Sequence, residues 1–243
     1  ALVYAALSLL FWRTPGGIAV TVATGITLGT ALAVPERLGL RSACLEESQY
    51  FCIRVAPVPG LSRAAKVMAL DHLAHGMNDR DDPGLLLSPY VQGVDELVGQ
   101  RFRGSSLDAF FVGGGAYTLP RAWQQRYPDG RFTIAELDPR VTEIARRDLW
   151  YAPGDETTIL HGDARQILSS LIIGQRFDVI FGDAFHDISI PQHLVTDEFH
   201  AEVARRLTPG GVYALNVVDG LRQPRFLISL ATTLEVRFDH VEL

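Results

Sequence analysis

Three glycines in a row and three separate carboxylates are the residues in this chain with the types and spacing for chemistry. Gly113, Gly114 and Gly115 follow the apolar run LDAFFV. Glu136 and Asp138 close a second apolar run, Asp163 follows TTIL within His161-Gly162-Asp163-Ala164, and Asp183 follows FDVIF within Gly182-Asp183-Ala184-Phe185. Glycines let the backbone turn tightly and approach a ligand closely, because no Cβ intervenes. An acid about 20 residues after such a turn can accept hydrogen bonds from both hydroxyls of a ribose. Asp163 can accept from the exocyclic amine of adenine, which leaves Asp183 for the reacting end. The set points to a nucleotide or adenosyl ligand. An ordinary tight turn with solvated or helix-capping carboxylates is the alternative, and three acids in series make it weaker.

The elements that must hold these residues alternate along the chain. Leu107–Val112 reads as a buried strand, Ala116–Tyr127 as a helix with Leu119, Trp123 and Tyr127 on one face, and Phe132–Ala135 as a second strand. A helix over Pro139–Leu149, a strand over Thr157–Leu160 and a helix over Arg165–Ile173 follow. The series goes on with a strand over Phe177–Phe181, a helix over Val195–Leu207 and a strand over Val212–Val217. It closes with a helix over Pro224–Leu234 and a last strand over Glu235–Leu243. Strands alternating with helices predict a parallel, doubly wound α/β sheet, whose ligands sit beyond the carboxyl ends of the strands. Before it, Glu46–Val58 and Arg63–Leu73 read as a β-hairpin, Gly76–Gly84 as a polar loop, and Tyr90–Gln100 as a helix with Pro89 in its first turn.

The 243 residues suffice for one α/β domain and something smaller, and a net charge of −6 gives no reason to expect a nucleic-acid partner. Cys44 and Cys52 form no metal-binding spacing, so reduced thiols are the default. His186, His193 and His200 recur at regular spacing, but no cysteine or paired carboxylate completes a zinc site, and no metal is expected. The N-terminal stretch is different. From Thr14 to Pro35 no residue is charged, and GIAVTVATGITLGTALAV is rich in small residues at steps of four. Roughly 20 apolar residues span a bilayer core, so residues 1–36 read as the end of a membrane bundle, with a signal-peptide core or a buried helix as alternatives. Arg37 and Arg41 follow the segment, offset by Glu36, with Arg13 at its other end, and this basic excess places the following domain on the cytoplasmic side. The chain begins and ends within apolar runs and reads as a fragment of a longer protein. The division is a membrane segment at 1–36, a small β module at 43–88 and a Rossmann-like nucleoside-binding domain at 89–243.

With these residues in place, the chain resembles the spermidine synthase (aminopropyltransferase) family, which shares the fold of class I AdoMet-dependent methyltransferases. The matching stretches are EESQYFCIRV, LDHLAHGMND, VGGGAYTLP, IAELDP, LHGDARQIL, VIFGDAFHD, PQHLVTDEF and LTPGGV, over about residues 45–243. The resemblance is greatest to bacterial members in which such a domain follows a membrane bundle, which implies a protein of the inner membrane. It implies that Gly113, Gly114 and Gly115 lie against the methionine-derived part of decarboxylated AdoMet (or AdoMet). Glu136 would hold the ribose, Asp163 with Ala164 the adenine, and Asp183 would be the catalytic aspartate. His186 is a candidate base beside it, and Tyr90 and Asp187 would face the amine acceptor. A homodimer is among the partners implied.

The chain also departs from the family's pattern. Where polyamine-making members have two aspartates three apart, the second position is His186. The glutamine after the tyrosine of the first strand is Phe51, the Tyr-His-Glu cluster reads Tyr90-Val91-Gln92, and the Asp and Gly after the glycine triplet are Ala116 and Tyr117. These changes remove polar partners for a diamine and keep most adenosyl contacts. The alternatives are an AdoMet-dependent methyltransferase, a non-catalytic nucleoside-sensing domain and, last, an NAD-dependent dehydrogenase, whose third glycine would fall at Thr118.

Overall fold

The computed structural model describes residues 44–243 apart from residues 59, 61–63, 105, 187–188, 221 and 243. The expected membrane segment at residues 1–36 therefore lies outside the described residues, as does Asp187. Among the described residues no helix is long and apolar enough to cross a membrane. The chain divides into two units, Ala1–Cys44 and Leu45–Leu243, and the second contains the sheet and the site.

The sheet is built as its hydrophobic runs require. Five strands, β5 (Asp108–Val112), β6 (Arg131–Glu136), β7 (Thr157–His161), β8 (Phe177–Gly182) and β9 (Leu207–Leu215), lie in the order β7-β6-β5-β8-β9, all parallel. β5 sits at the centre, and the order reverses between it and β8. Both faces of a parallel sheet are covered, so its strands are apolar on both sides. Phe111 and Ala109 face one core cluster, with Trp123, Ile144 and Met68, while Phe110 and Val112 face the other, with Leu168, Phe199 and Val203. Burying a side chain such as Phe111 contributes roughly 1.5–3 kcal/mol. The connecting helices are α1 (Pro89–Arg101), α2 (Thr118–Arg126), α3 (Pro139–Asp148), α4 (Ala164–Ser170), α5 (Asp197–Arg206) and α6 (Arg225–Glu235). Asp138 caps α3 by accepting from the Arg140 amide, and Thr196 caps α5 by accepting from Phe199.

The preceding module is larger than a hairpin. It is a four-stranded antiparallel sheet of β1 (Glu46–Glu47), β2 (Cys52–Pro57), β3 (Ala65–Leu70) and β4 (Leu73–Asp79). The expected loop from Gly76 is in fact the end of β4. Its polar residues are buried because they hydrogen-bond the main chain of the larger sheet's connections. Asn78 donates to the carbonyls of Ala116 and Leu149, and Arg121 of α2 donates to those of Asp79 and Arg80. These bonds fasten β4 beside the glycine turn.

Two further expectations are corrected. The last run forms no strand: α6 continues to Glu235, and the amides of Arg237 and Phe238 both bond the Leu234 carbonyl while Phe238 packs 5.7 Å from Tyr213. Nor are the cysteines reduced, since Cys44 and Cys52 are both disulfide-bonded, and sequence spacing carries no signal for such a bond.

Candidate active site

The carboxyl ends of β5, β6, β7 and β8 place the glycines and the three acids along one edge. Main-chain bonds extend the ladders past the strand ends. Gly113 donates to Ala135, Asp183 to Val112, Gly162 to Glu136 and Asn216 to Gly182. Two of the glycines are needed for this close approach. Gly113 has φ +96 and a Cβ on it would meet the Asp183 carbonyl at 2.9 Å; Gly115 has φ +51 and its Cβ would meet the His75 carbonyl at 2.6 Å. The turn is thus pressed between β8 on one side and β4 on the other.

Glu136 is buried and its carboxylate organises the turn. One oxygen accepts from the amides of Gly114 (2.8 Å) and Gly115 (3.4 Å), the other from Asp138 (2.9 Å). Burial pushes its pKa up, and those three amides pull it back down. Beneath the turn lies Tyr117, at φ 57 in the left-handed region that a glycine would enter without strain. Its ring is fully buried, stacks on Tyr151 at 4.2 Å, and its hydroxyl pairs with Thr142 Oγ1 at 2.6 Å. A Cβ at Gly114 would strike that ring.

Asp183 is partly buried and both its oxygens are held. Oδ1 accepts from Asn216 Nδ2 at 2.8 Å and Oδ2 from the Tyr90 hydroxyl at 3.1 Å. Burial raises its pKa, and the two donors oppose that rise. Burial and the neighbouring carboxylate push the Tyr90 hydroxyl up as well, so it stays protonated and donating. A carboxylate with a raised pKa, held in place by two neutral donors, is suited to taking a proton from an ammonium.

Asp183, Tyr90, Gly113 and Gly114 line one pocket together with His75, Val91, Phe111, Thr118, Leu119, Pro120 and Phe181. The cavity measures about 20 Å³. A wider open groove of about 570 Å³ lies between the C-terminal parts of α1 and α2, but it holds no strand-end acid, and its Asp95 is paired with Arg126.

The other predicted residues are more dispersed. Ala164 is buried at the start of α4. Asp163 caps α4 through Gln166, and its second oxygen lies 2.7 Å from His193 Nε2. An adenine amine would compete with that imidazole. His186 is exposed, and its main chain pairs with Ser189. The histidine that lines the pocket is His75, with its Nε2 buried and without a partner. The sequence reads His75 as loop or pocket lining rather than a ligand, and it passes over Asn216 and Tyr117 as site residues. His75 sits in an apparent loop, and Asn216 follows the last strand without a motif of its own. Among the described residues no group of side chains is arranged to hold a metal ion.

No protein-family model matches the chain. It is 35% identical over 129 residues to a polyamine aminopropyltransferase of Vibrio vulnificus, covering 53% of this chain and 42% of that protein. It is 33% identical over 109 residues to a probable polyamine aminopropyl transferase of Bifidobacterium longum, covering 45% of this chain and 24% of that protein. In structure it matches a probable spermidine synthase from Corynebacterium glutamicum with a TM-score of 0.72 and 26% identity, over 80% of this chain and 70% of that one. The likeness is to the spermidine synthase family. The chain spans less than half the length of the curated relatives it matches. A spermidine synthase in complex with the transition-state analogue AdoDATO shares the fold, at a TM-score of 0.60 and 19% identity over 80% of this chain and 63% of that one. So does human methyltransferase-like protein 13 in complex with SAH, at a TM-score of 0.52 and 25% identity over 56% of this chain and 65% of that one. The architecture is therefore the Rossmann-like, methyltransferase-type α/β fold.

Proposed function

We propose that residues 45–243 form the transferase domain of an aminopropyltransferase that moves an aminopropyl group from decarboxylated AdoMet to an amine. The observation that carries this reading is Asp183, held by Tyr90 and Asn216 in the pocket that also contains Gly113 and Gly114. The reacting amine has an unperturbed pKa near 10, so it arrives as an ammonium. Asp183 accepts its proton, and the freed nitrogen lone pair attacks the propyl carbon bonded to the sulfonium. A carbon–nitrogen bond forms, the carbon–sulfur bond breaks, and its electron pair returns to sulfur, releasing neutral methylthioadenosine. Holding nitrogen, carbon and sulfur in line supplies much of the rate. Glu136 holds the ribose, exchanging its bonds to Gly114 and Gly115 for the two hydroxyls, and Asp163 with Ala164 holds adenine once His193 yields.

The test is mass spectrometry of products from the detergent-solubilised full-length protein, with decarboxylated AdoMet or AdoMet and a pool of amines. Methylthioadenosine from the decarboxylated donor, lost in Asp183→Asn, supports the reading. The SAH-bound methyltransferase neighbour favours methyl transfer as the second reading, and S-adenosylhomocysteine formed from AdoMet would establish it. Neither product, with methylthioadenosine still bound, would point to nucleoside sensing. We further infer that residues 1–36 anchor the protein in a bacterial inner membrane with this domain in the cytoplasm, and that it functions as a dimer. Fractionation, protease accessibility in spheroplasts and light scattering in detergent test these three points.

A further inference from the structure

Tyr117 stands where the pattern of the resembled family places a glycine, and its backbone shows why a glycine would enter that position more easily. Its φ of 57 lies in the left-handed region, which is costly for a bulky residue. Such a conformation persists only where the surroundings fix it, and here they do. The ring is fully buried and stacks on Tyr151 at 4.2 Å between centroids, tilted by 21°. Its hydroxyl pairs with Thr142 Oγ1 at 2.6 Å, and Thr142 Oγ1 lies 3.0 Å from His161 Nε2. Burial and the nearby Glu136 carboxylate push the hydroxyl's pKa up, so it keeps its proton for that pair. α3 through Thr142, β7 through His161, and Tyr151 together hold this one side chain.

What Tyr117 holds in turn is Gly114. The Tyr117 amide donates to the Gly114 carbonyl at 2.8 Å. The ring edge lies against the same residue, where an added Cβ would come within 2.5 Å of Cζ. Gly114 is therefore gripped at its carbonyl and at its Cα by one neighbour. The other hold on this part of the turn is Glu136, which accepts from the amides of Gly114 and Gly115. When that carboxylate turns to the ribose hydroxyls, the two amides lose their acceptor. Among the described residues the other main-chain bonds donated by the turn run from Gly113 to Ala135 and from Ala116 to His75, on either side of the two glycines. Tyr117 does not line the pocket, so its effect on a ligand runs through Gly114, which does.

We propose that Tyr117 is a positioning residue for the adenosyl ligand: it keeps the glycine turn in its binding shape while Glu136 exchanges the Gly114 and Gly115 amides for the ribose. A turn already in place lowers the ordering penalty of binding, and the strained backbone of Tyr117 is the counterpart of that rigidity. This inference rests on the reading above that an adenosyl ligand binds here with its ribose on Glu136.

The experiment uses the full-length protein with methylthioadenosine as the probe. Its Kd is measured by calorimetry, and KM for decarboxylated AdoMet is measured separately from methylthioadenosine release. Variants are compared where urea titration shows them folded under the assay conditions. Tyr117→Gly removes the ring from Gly114 and relieves the backbone. Kd and KM for the donor are both expected to rise by at least about tenfold, well inside what a misplaced binding group can cause. Tyr117→Phe keeps the ring and its stack and loses only the pair with Thr142, and Thr142→Val loses that pair from the other side. Each is expected to weaken binding by about threefold, the lower part of the range for one hydrogen bond. The double variant is no weaker than either single one, since both remove the same bond. These two variants carry the test where Tyr117→Gly does not fold. A merely structural role for Tyr117 lowers the unfolding midpoint and leaves Kd and KM at their wild-type values, and that outcome overturns the inference. Losses that add up in the double variant overturn it as well, because the ring would then not be held through Thr142. A wild-type protein that does not bind methylthioadenosine removes the adenosyl reading itself, and the inference with it.

Discussion

His75 makes a prediction about acid stability that needs no substrate. Burial lowers its pKa from 6.5 to about 4. Above pH 6.5 the ring is neutral in both the folded and the unfolded chain, so its contribution is fully present. As pH falls below 6.5 the unfolded chain takes up a proton that the folded protein refuses, and stability is lost until the folded ring also titrates near 4. The whole shift corresponds to on the order of 3 kcal/mol, of which about 2 kcal/mol is lost by pH 5. Glutamine at this position keeps a polar, neutral group and cannot titrate. The assay is urea unfolding of wild type and His75→Gln, followed by tryptophan fluorescence, at pH 7.5 and at pH 5. Asp183 and Glu136, whose pKa values are raised by burial, act in the opposite direction, but they are present in both proteins and cancel in the difference. Between the two pH values, wild type should lose about 2 kcal/mol more than the variant. An equal loss in both would refute the argument, because the ring would then be hydrated or paired in solution rather than buried without a partner.

Other expected outcomes follow from the same geometry. Asp183→Asn retains methylthioadenosine binding by calorimetry but loses about 10²–10⁴-fold in kcat, the range for removing a general base. Gly115→Ala forces a Cβ to within 2.6 Å of the His75 carbonyl at φ +51, and lowers unfolding free energy by roughly 1–3 kcal/mol in denaturant titration. His193→Ala releases one oxygen of Asp163. An exposed pair of this kind is worth about 0–1 kcal/mol, so methylthioadenosine affinity rises by up to about fivefold; unchanged affinity would mean that adenine never meets that oxygen.

Much of the fold was legible because it rests on local signals. The runs LDAFFV, FTIA and FDVIF each became a parallel strand, since a strand buried on both faces must be apolar throughout, and TTIL became the half-buried edge strand β7. Gly113–Gly115 and Pro139 marked boundaries through backbone stereochemistry that neighbours hardly alter, whereas Pro209-Gly210, expected to form a turn before the strand, lies within β9. The misreadings fall where distant partners decide. Asn78 and Asp79 look like loop residues until Ala116, Leu149 and Arg121 arrive to satisfy them. The run after α6 alternates like a strand, but its amides close a helix end and Phe238 finds Tyr213.

The site divides in the same way. Glu136, Asp163 and Asp183 could be named from sequence because a strand end is a local address, and in a parallel sheet all such addresses fall on one edge. Which groups surround them was decided only by tertiary structure. β4 comes from a separate antiparallel sheet, so the arrival of His75 beside Asp183 depends on bonds between Asn78, Arg121 and remote carbonyls. Tyr90 and Asn216 reach Asp183 from sequence separations of 93 and 33 residues. Sequence alone determined which acids stand at the edge, because alternation and glycines act over a few residues. Tertiary structure decided which neighbours tune them, because burial and hydrogen bonding are settled between elements far apart in the chain.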